Sequence, residues 1–157
     1  MIVALQFVTK FSSVFLLYNS DYLILLKQYV LKKIKPSFIP LILWFILSTI
    51  LLTLPGSAFP EENWLGKIYF DKWVHIGMFA IMTFLGCWAI HKKIADRQKL
   101  RKTFLYIAAL ALLYGIIMEF VQKYFIPNRS FDVGDIIADG VGCAVGFLYS
   151  LRVYTKN

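Results

Sequence analysis

The chain has 157 residues, of which 59% are hydrophobic and 17% are charged, and its formal net charge is +8. A soluble domain carries roughly 45–50% apolar residues, so this composition excludes an ordinary water-soluble fold and predicts an integral membrane protein. The positive charge is typical of membrane topology and of contact with anionic headgroups. Because the sequence has no nucleic-acid-binding motif, we expect no nucleic acid partner.

The N-terminal stretch is apolar but is interrupted by Asp21 and Lys27. It lacks the positively charged start and the small-residue cleavage site of a secretory signal. We interpret residues 21–35 as a basic amphipathic helix that lies at the membrane interface. The alternatives are a fifth span over residues 11–26 and a start codon assigned too early.

Four uncharged or weakly charged apolar stretches follow this segment. Each is close to the ~20 residues that cross about 30 Å of hydrocarbon, and lipid requires helices because it cannot satisfy an open backbone. We therefore predict an all-α fold, a four-helix transmembrane bundle over residues 36–154, preceded by an interfacial segment over residues 1–35. The predicted spans are residues 37–54, 73–90, 103–118 and 133–151, with the third helix continuing through Glu119 and Gln122.

Basic residues are concentrated on one side of the predicted bundle. Thirteen of the seventeen Lys and Arg residues lie before the first span, between the second and third spans, or after the fourth. The positive-inside rule therefore predicts that both termini are cytoplasmic. The thirteen residues are Lys10, Lys27, Lys32, Lys33, Lys35, Lys92, Lys93, Arg97, Lys99, Arg101, Lys102, Arg152 and Lys156.

Polar residues of the last three spans gather at the opposite, extracytoplasmic end. An ionised carboxylate in lipid costs about 2.5 kcal/mol or more, so these groups should face the bundle interior or a hydrated cavity. The available basic partners are Arg129, Lys72 and His75. We expect Arg129 near Asp135, Glu119 near His75, and at least one carboxylate among Glu119, Asp135 and Asp139 within ~4 Å of a basic side chain. The predicted polar cluster comprises Asp71, Lys72, His75, Glu119, Gln122, Arg129, Asp132, Asp135 and Asp139.

The fourth span also carries small residues at every fourth position, a pattern that lets another helix approach closely. This face predicts tight packing against a neighbouring helix, and it is a possible contact for a homo-oligomer. The stripe comprises Gly134, Ala138, Gly142 and Gly146, and the candidate contact points on other spans are Gly77, Gly86 and Gly115.

Short motifs at successive helix ends resemble those of the VanZ-like family of small bacterial membrane proteins. They are Pro55-Gly56 after the first span, Asp-Lys-x-x-His at Asp71, Glu-x-x-Gln at Glu119, and Pro-x-Arg-x-Phe-Asp-x-x-Asp from Pro127. The likeness covers about residues 35–147, and Asp139 stands where many members have Asn. It implies a multi-pass protein of the bacterial inner membrane with a role in the cell envelope, since the family's named member is associated with low-level resistance to the glycopeptide teicoplanin.

Several functions remain open for the polar cluster. The leading hypothesis is a binding site for a membrane lipid, a cell-wall precursor or an amphiphilic antibiotic of the glycopeptide type. The alternatives are a structural ion network, a membrane enzyme acting on an envelope lipid or precursor, and a small ion-coupled transporter. A metal site at His75, Glu119 and Asp135 is conceivable, but we expect neither a metal nor another cofactor, because one His among carboxylates more often marks an ion-pair network.

Cys87 and Cys143 lie in apolar runs and are expected to be buried thiols.

Overall fold

The structure, a computed structural model, describes residues 36–55 and 69–155. Within these ranges it contains four α-helices and no strand, which confirms the all-α prediction for this part of the chain. The predicted interfacial helix over residues 21–35 and Gly56 of the Pro-Gly motif lie outside the described residues. The helices are α1 (Ile39–Leu52), α2 (Phe70–Ile90), α3 (Arg97–Phe125) and α4 (Val133–Tyr154), with 3-10 turns at Pro36–Phe38 and His91–Lys93.

Three helices are long and apolar enough to cross a membrane. They are α2 with its 3-10 extension, α3 and α4, of 24, 29 and 22 residues. α3 continues through Glu119 and Gln122, as the sequence predicted. α1 has only 14 residues, fewer than the predicted span of residues 37–54. It therefore extends about 21 Å at 1.5 Å per residue, which is less than the ~30 Å of a hydrocarbon core.

The helix ends follow from local sequence. Asp96 precedes α3, and its carboxylate accepts hydrogen bonds from the backbone N–H groups of Gln98 and Lys99 at 2.7 and 3.0 Å. Asp132 caps α4 in the same way by accepting from the N–H of Gly134 at 2.7 Å. Such side chains satisfy the free N–H groups of a first helical turn.

The most extensive helix–helix interface among the described residues is between α2 and α4. A Cβ at Gly142 would overlap the backbone carbonyl oxygen of Ile76, and one at Gly146 would overlap that of Ala80. The small-residue face of α4 therefore packs on α2 within the chain, as the spacing predicted. Of the candidate contact points, nothing lies within 4 Å of a Cβ built at Gly77, so that position makes no close approach.

α1 is held against α2 and α3 by a few directed contacts. The indole Nε1 of Trp44 donates to the carbonyl of Met78 at 3.0 Å, and the hydroxyls of Thr49 and Tyr114 lie 2.9 Å apart. Leu52 joins the apolar core that Phe79 and its neighbours form between the helices. Because α1 runs antiparallel to α2, its last residues reach the end of the bundle where α2 begins.

Candidate functional site

Four chain segments meet at one end of the bundle, named here the acidic end. They are the C-terminal ends of α1 and α3 and the N-terminal ends of α2 and α4, and they bring all nine residues of the predicted polar cluster to this end. Five of the nine are buried, with exposures of 1–5%: His75, Glu119, Gln122, Asp135 and Asp139. Residues that are up to 68 positions apart in the sequence thus form one cluster.

Lys72 is the basic group at the outer edge of the cluster. Its Nζ contacts Asp135 Oδ1 at 2.6 Å and Asp71 Oδ2 at 3.1 Å, and it also pairs with Asp132. The predicted contact of a carboxylate with a basic side chain is therefore confirmed. The hydrogen bond from the Lys72 ammonium holds the pKa of Asp132 below its usual range, which favours the ionised form of this carboxyl at the start of α4.

His75 lies one turn deeper than Lys72 and bridges two acidic residues of α4. Its Nδ1 lies 2.8 Å from Asp139 Oδ1, and its Nε2 lies 3.9 Å from Asp135 Oδ2. Asp135 thus directs one oxygen to Lys72 and the other towards His75. Gly115 leaves room for Asp139, because a Cβ at that position would overlap the Asp139 carboxylate.

Glu119 and Gln122 connect α3 to the segments beside it. Glu119 Oε2 accepts a hydrogen bond from the backbone N–H of Asp132 at 2.9 Å. Gln122 Nε2 donates to the carbonyl of Leu52 at 2.8 Å and so ties α3 to the end of α1. Glu119 also lies close to His75, as predicted, since ligand atoms of the two come within 4.8 Å.

Asp135 pairs with Lys72, which the sequence had offered as a partner beside Arg129. Helical spacing and orientation had favoured Arg129 for this carboxylate. Arg129 Nε instead donates a hydrogen bond of 3.4 Å to the carbonyl of Leu54. Residue spacing carries no signal for this carbonyl contact, nor for the backbone hydrogen bond to Glu119, because spacing describes side chains and not the backbone groups at helix ends.

The cluster has two levels that differ in exposure. The rim consists of Asp71, Lys72 and Asp132, and the two carboxylate side chains of the rim are 57% and 47% exposed. The deep level consists of His75, Glu119, Asp135 and Asp139, all buried. The five carboxylates outnumber the three basic groups Lys72, His75 and Arg129, so the formal charge is negative even with His75 protonated. Such a site suits a cationic ligand group.

An apolar groove of about 370 Å³ lies elsewhere, between α1, α2 and α3. It runs from Phe38 and Ile90 to Tyr114, so most of it belongs to the half of the bundle away from the acidic end. The groove contains none of the nine cluster residues. The lining of the groove offers almost no polar atoms.

Membrane-length helices and this polar cluster define a small multi-pass membrane protein with a buried acidic site. The chain belongs to the VanZ/LLP1 family, whose sequence pattern it matches over residues 9–154. The match confirms the VanZ-like resemblance and extends it. It begins well before residue 35, where the likeness had been expected to begin.

A relative and the solved structures add little about function. The chain is 30% identical over 87 residues to the uncharacterized protein C11E3.10 of Schizosaccharomyces pombe, which is 55% of this chain and 50% of that protein. The chain thus spans about half the length of this curated relative. No solved structure matches the chain. Because the relative is from a fission yeast, the family match alone does not assign this chain to bacteria.

Proposed function

We propose that this VanZ/LLP1 family membrane protein binds an amphiphile at the acidic end through a cationic group of the ligand. The carrying observation is that Asp71 and Asp132 are half-exposed carboxylates at the rim of a cluster with excess negative charge. Suitable ligands are a membrane lipid, a cell-wall precursor or a glycopeptide-type compound that bears an ammonium group. Charge-assisted hydrogen bonds from an ammonium to carboxylates are roughly twice as strong as neutral ones.

The position of Lys72 supports a cationic over an anionic ligand group. Its ammonium already contacts Asp71, Asp132 and Asp135, so a lipid phosphate would compete with three carboxylates for it. The apolar surface beside the rim suits the hydrocarbon part of the ligand, since Phe70, Trp73 and Val133 are 48%, 65% and 59% exposed. Together these features fit an amphiphile that lies at headgroup depth.

We place the acidic end on the extracytoplasmic side of a bacterial inner membrane, with both termini cytoplasmic. The support is the basic segment formed by the connection after α2 and the first turns of α3, which carries six of the thirteen basic residues and lies at the other end of the helices. Cytoplasmic loops of membrane proteins carry such an excess of Lys and Arg. In this orientation the rim meets outer-leaflet headgroups, which fits a role in the cell envelope.

Binding of defined amphiphiles to the purified protein tests the ligand chemistry. Phosphatidylethanolamine and a glycopeptide with a free amine are expected to bind, and their N-acetylated forms are expected to bind roughly tenfold more weakly or worse, since acetylation removes the cationic contact. Phosphatidylglycerol carries the phosphate without an ammonium group. Comparing it with phosphatidylethanolamine therefore separates recognition of the phosphate from recognition of the ammonium group. Comparing the lipid and glycopeptide arms identifies the source of the ammonium group.

The matched variants are Asp71→Asn at the rim and Asp96→Asn at the opposite end of the bundle. Asp71→Asn should weaken binding of the ammonium-bearing ligand, whereas Asp96→Asn should leave it unchanged, because Asn still caps α3. Equal binding of the amine and its acetylated form, or of both variants, contradicts the proposed function.

Cysteine labelling in intact cells tests the orientation. A membrane-impermeant maleimide should label Glu62→Cys and Asn128→Cys but not Gln98→Cys, because the basic segment is expected in the cytoplasm. Wild type provides the background, since Cys87 and Cys143 are buried. Labelling of Gln98→Cys from outside would reverse the orientation and remove the acidic end from the outer surface.

A further inference from the structure

Three side chains in the deep level of the cluster bring ligand atoms close to one another. One ligand atom each from His75, Glu119 and Asp135 lie within 4.8 Å of one another, and all three residues are buried. The residues come from α2, α3 and α4, so the arrangement is created by the fold and by no local motif. Imidazole and carboxylate are the ligand types that divalent transition metals such as zinc take in proteins.

A second observation concerns the orientation of His75. Its Nδ1 is 2.8 Å from Asp139 Oδ1, so an ionised Asp139 accepts the Nδ1–H. In the neutral imidazole Nε2 then carries the lone pair, on the side of Asp135. The Nε2 to Asp135 Oδ2 separation is 3.9 Å, which is longer than the roughly 3.2 Å upper limit of a normal hydrogen bond. In metal sites the ligating histidine almost always donates its other N–H to a carboxylate or carbonyl in this way.

We propose that His75 Nε2, Glu119 and Asp135 bind one divalent transition-metal ion, with Asp139 as the carboxylate that orients His75. Tetrahedral bonds of about 2.0–2.2 Å place ligand atoms about 3.3 Å apart. The side chains therefore close onto the ion, by about half an ångström for the His75–Asp135 pair. Three protein ligands leave one position of the metal for water or a ligand group.

The remaining contacts of these carboxylates are compatible with a metal. Asp135 uses Oδ1 for Lys72 and has Oδ2 on the side of His75, so both roles are met by one residue. Glu119 accepts the Asp132 N–H through Oε2 alone. With His75 neutral as a ligand, the five carboxylates exceed Lys72 and Arg129 by three charges. A divalent ion would offset two of these, so the cluster would remain negative. This inference stands on the His75 geometry and does not depend on the proposed amphiphile.

Metal analysis of the full-length protein tests the proposal. The protein is purified through a tag without histidines and without chelators, dialysed, and measured by inductively coupled plasma mass spectrometry and by titration with Zn²⁺. Wild type should hold about one zinc per chain, and His75→Gln, Glu119→Gln and Asp135→Asn should lose it. Asp139→Asn should weaken zinc binding roughly 10- to 100-fold, because it removes only the orienting hydrogen bond.

Three controls separate this site from other metal ligands. His91→Gln, at the opposite end of α2, and the serine variants of Cys87 and Cys143 should retain the zinc of wild type. Asp71→Asn should also retain the zinc but lose the amphiphile. A failure of the metal proposal can therefore be told apart from a failure of the amphiphile proposal.

A readout on wild type alone covers the case in which the variants do not fold. Co²⁺-loaded wild type should show the visible absorption of a four-coordinate site, without the charge-transfer band that a thiolate ligand adds. Wild type that holds less than about a tenth of an equivalent of zinc and gives no such cobalt spectrum, or a folded His75→Gln that keeps full zinc, overturns the proposal.

Discussion

Lys72→Met is expected to destabilise the folded protein by about 3–5 kcal/mol, because it leaves buried carboxylate charge without its cation. Lys72 contacts Asp71, Asp132 and Asp135, and the Asp135 side chain is only 7% exposed. Thermal unfolding in detergent should show a large fall in midpoint temperature. Lys72→Arg keeps the positive charge and should stay much closer to wild type.

Two further variants decide whether charge compensation is the cause. Lys123→Met removes an exposed lysine near the same end and should change stability by less than about 0.5 kcal/mol. The double variant Lys72→Met with Asp135→Asn should recover part of the loss, because the buried partner is then neutral. If Lys72→Arg loses as much stability as Lys72→Met, the positive charge of Lys72 and its ion network do not stabilise the bundle.

Gly142→Ala is the second substitution with a large expected effect. The new Cβ would overlap the carbonyl oxygen of Ile76, which belongs to the backbone of α2, so the two helices have to move apart. Overpacking of this kind costs about 1–3 kcal/mol, and here it also shifts α4, which carries Asp135 and Asp139. The midpoint of thermal unfolding should fall accordingly.

Gly140→Ala is the matched control on the same helix. The nearest atom to its Cβ is Leu112 Cδ1 at 3.9 Å, an ordinary contact. Alanine should therefore be neutral or stabilising by up to about 1 kcal/mol, because it is the better helix former. Equal effects at residues 140 and 142 would mean that close approach of α2 and α4 does not depend on the glycine face.

Much of the fold could be predicted because hydropathy and the alternating direction of successive helices can be read along the sequence alone. Apolar stretches indicated α2, α3 and α4, and their antiparallel order brought Asp71, Glu119 and Asp135 to one end. The length of α1 was predicted less well. Hydropathy continued to Leu54, but the helix ends at Leu52, before Pro55. Composition does not record where backbone hydrogen bonding stops.

Partner choice within the cluster was predictable only in part. Spacing showed that carboxylates need a basic neighbour, yet whether Lys72 reaches Asp135 depends on how α2 is rotated against α4. That rotation follows from Gly142 and Gly146 seating on Ile76 and Ala80, which requires three-dimensional packing. For the same reason Gly77 was a plausible contact from its sequence position but makes no close approach in the structure.

Binding of an amphiphile by the rim carboxylates is a role of the acidic end beyond any part that it has in holding the helices together, as we propose. Native mass spectrometry of the protein released from its membrane tests this role, by comparing wild type with Asp71→Asn at equal thermal stability. Wild type should retain an ammonium-bearing amphiphile that the variant has lost. The variant should remain as stable as wild type, because Lys72 keeps its contacts with Asp132 and Asp135. Two equally stable proteins with the same retained molecules, or with none, would contradict the proposed binding.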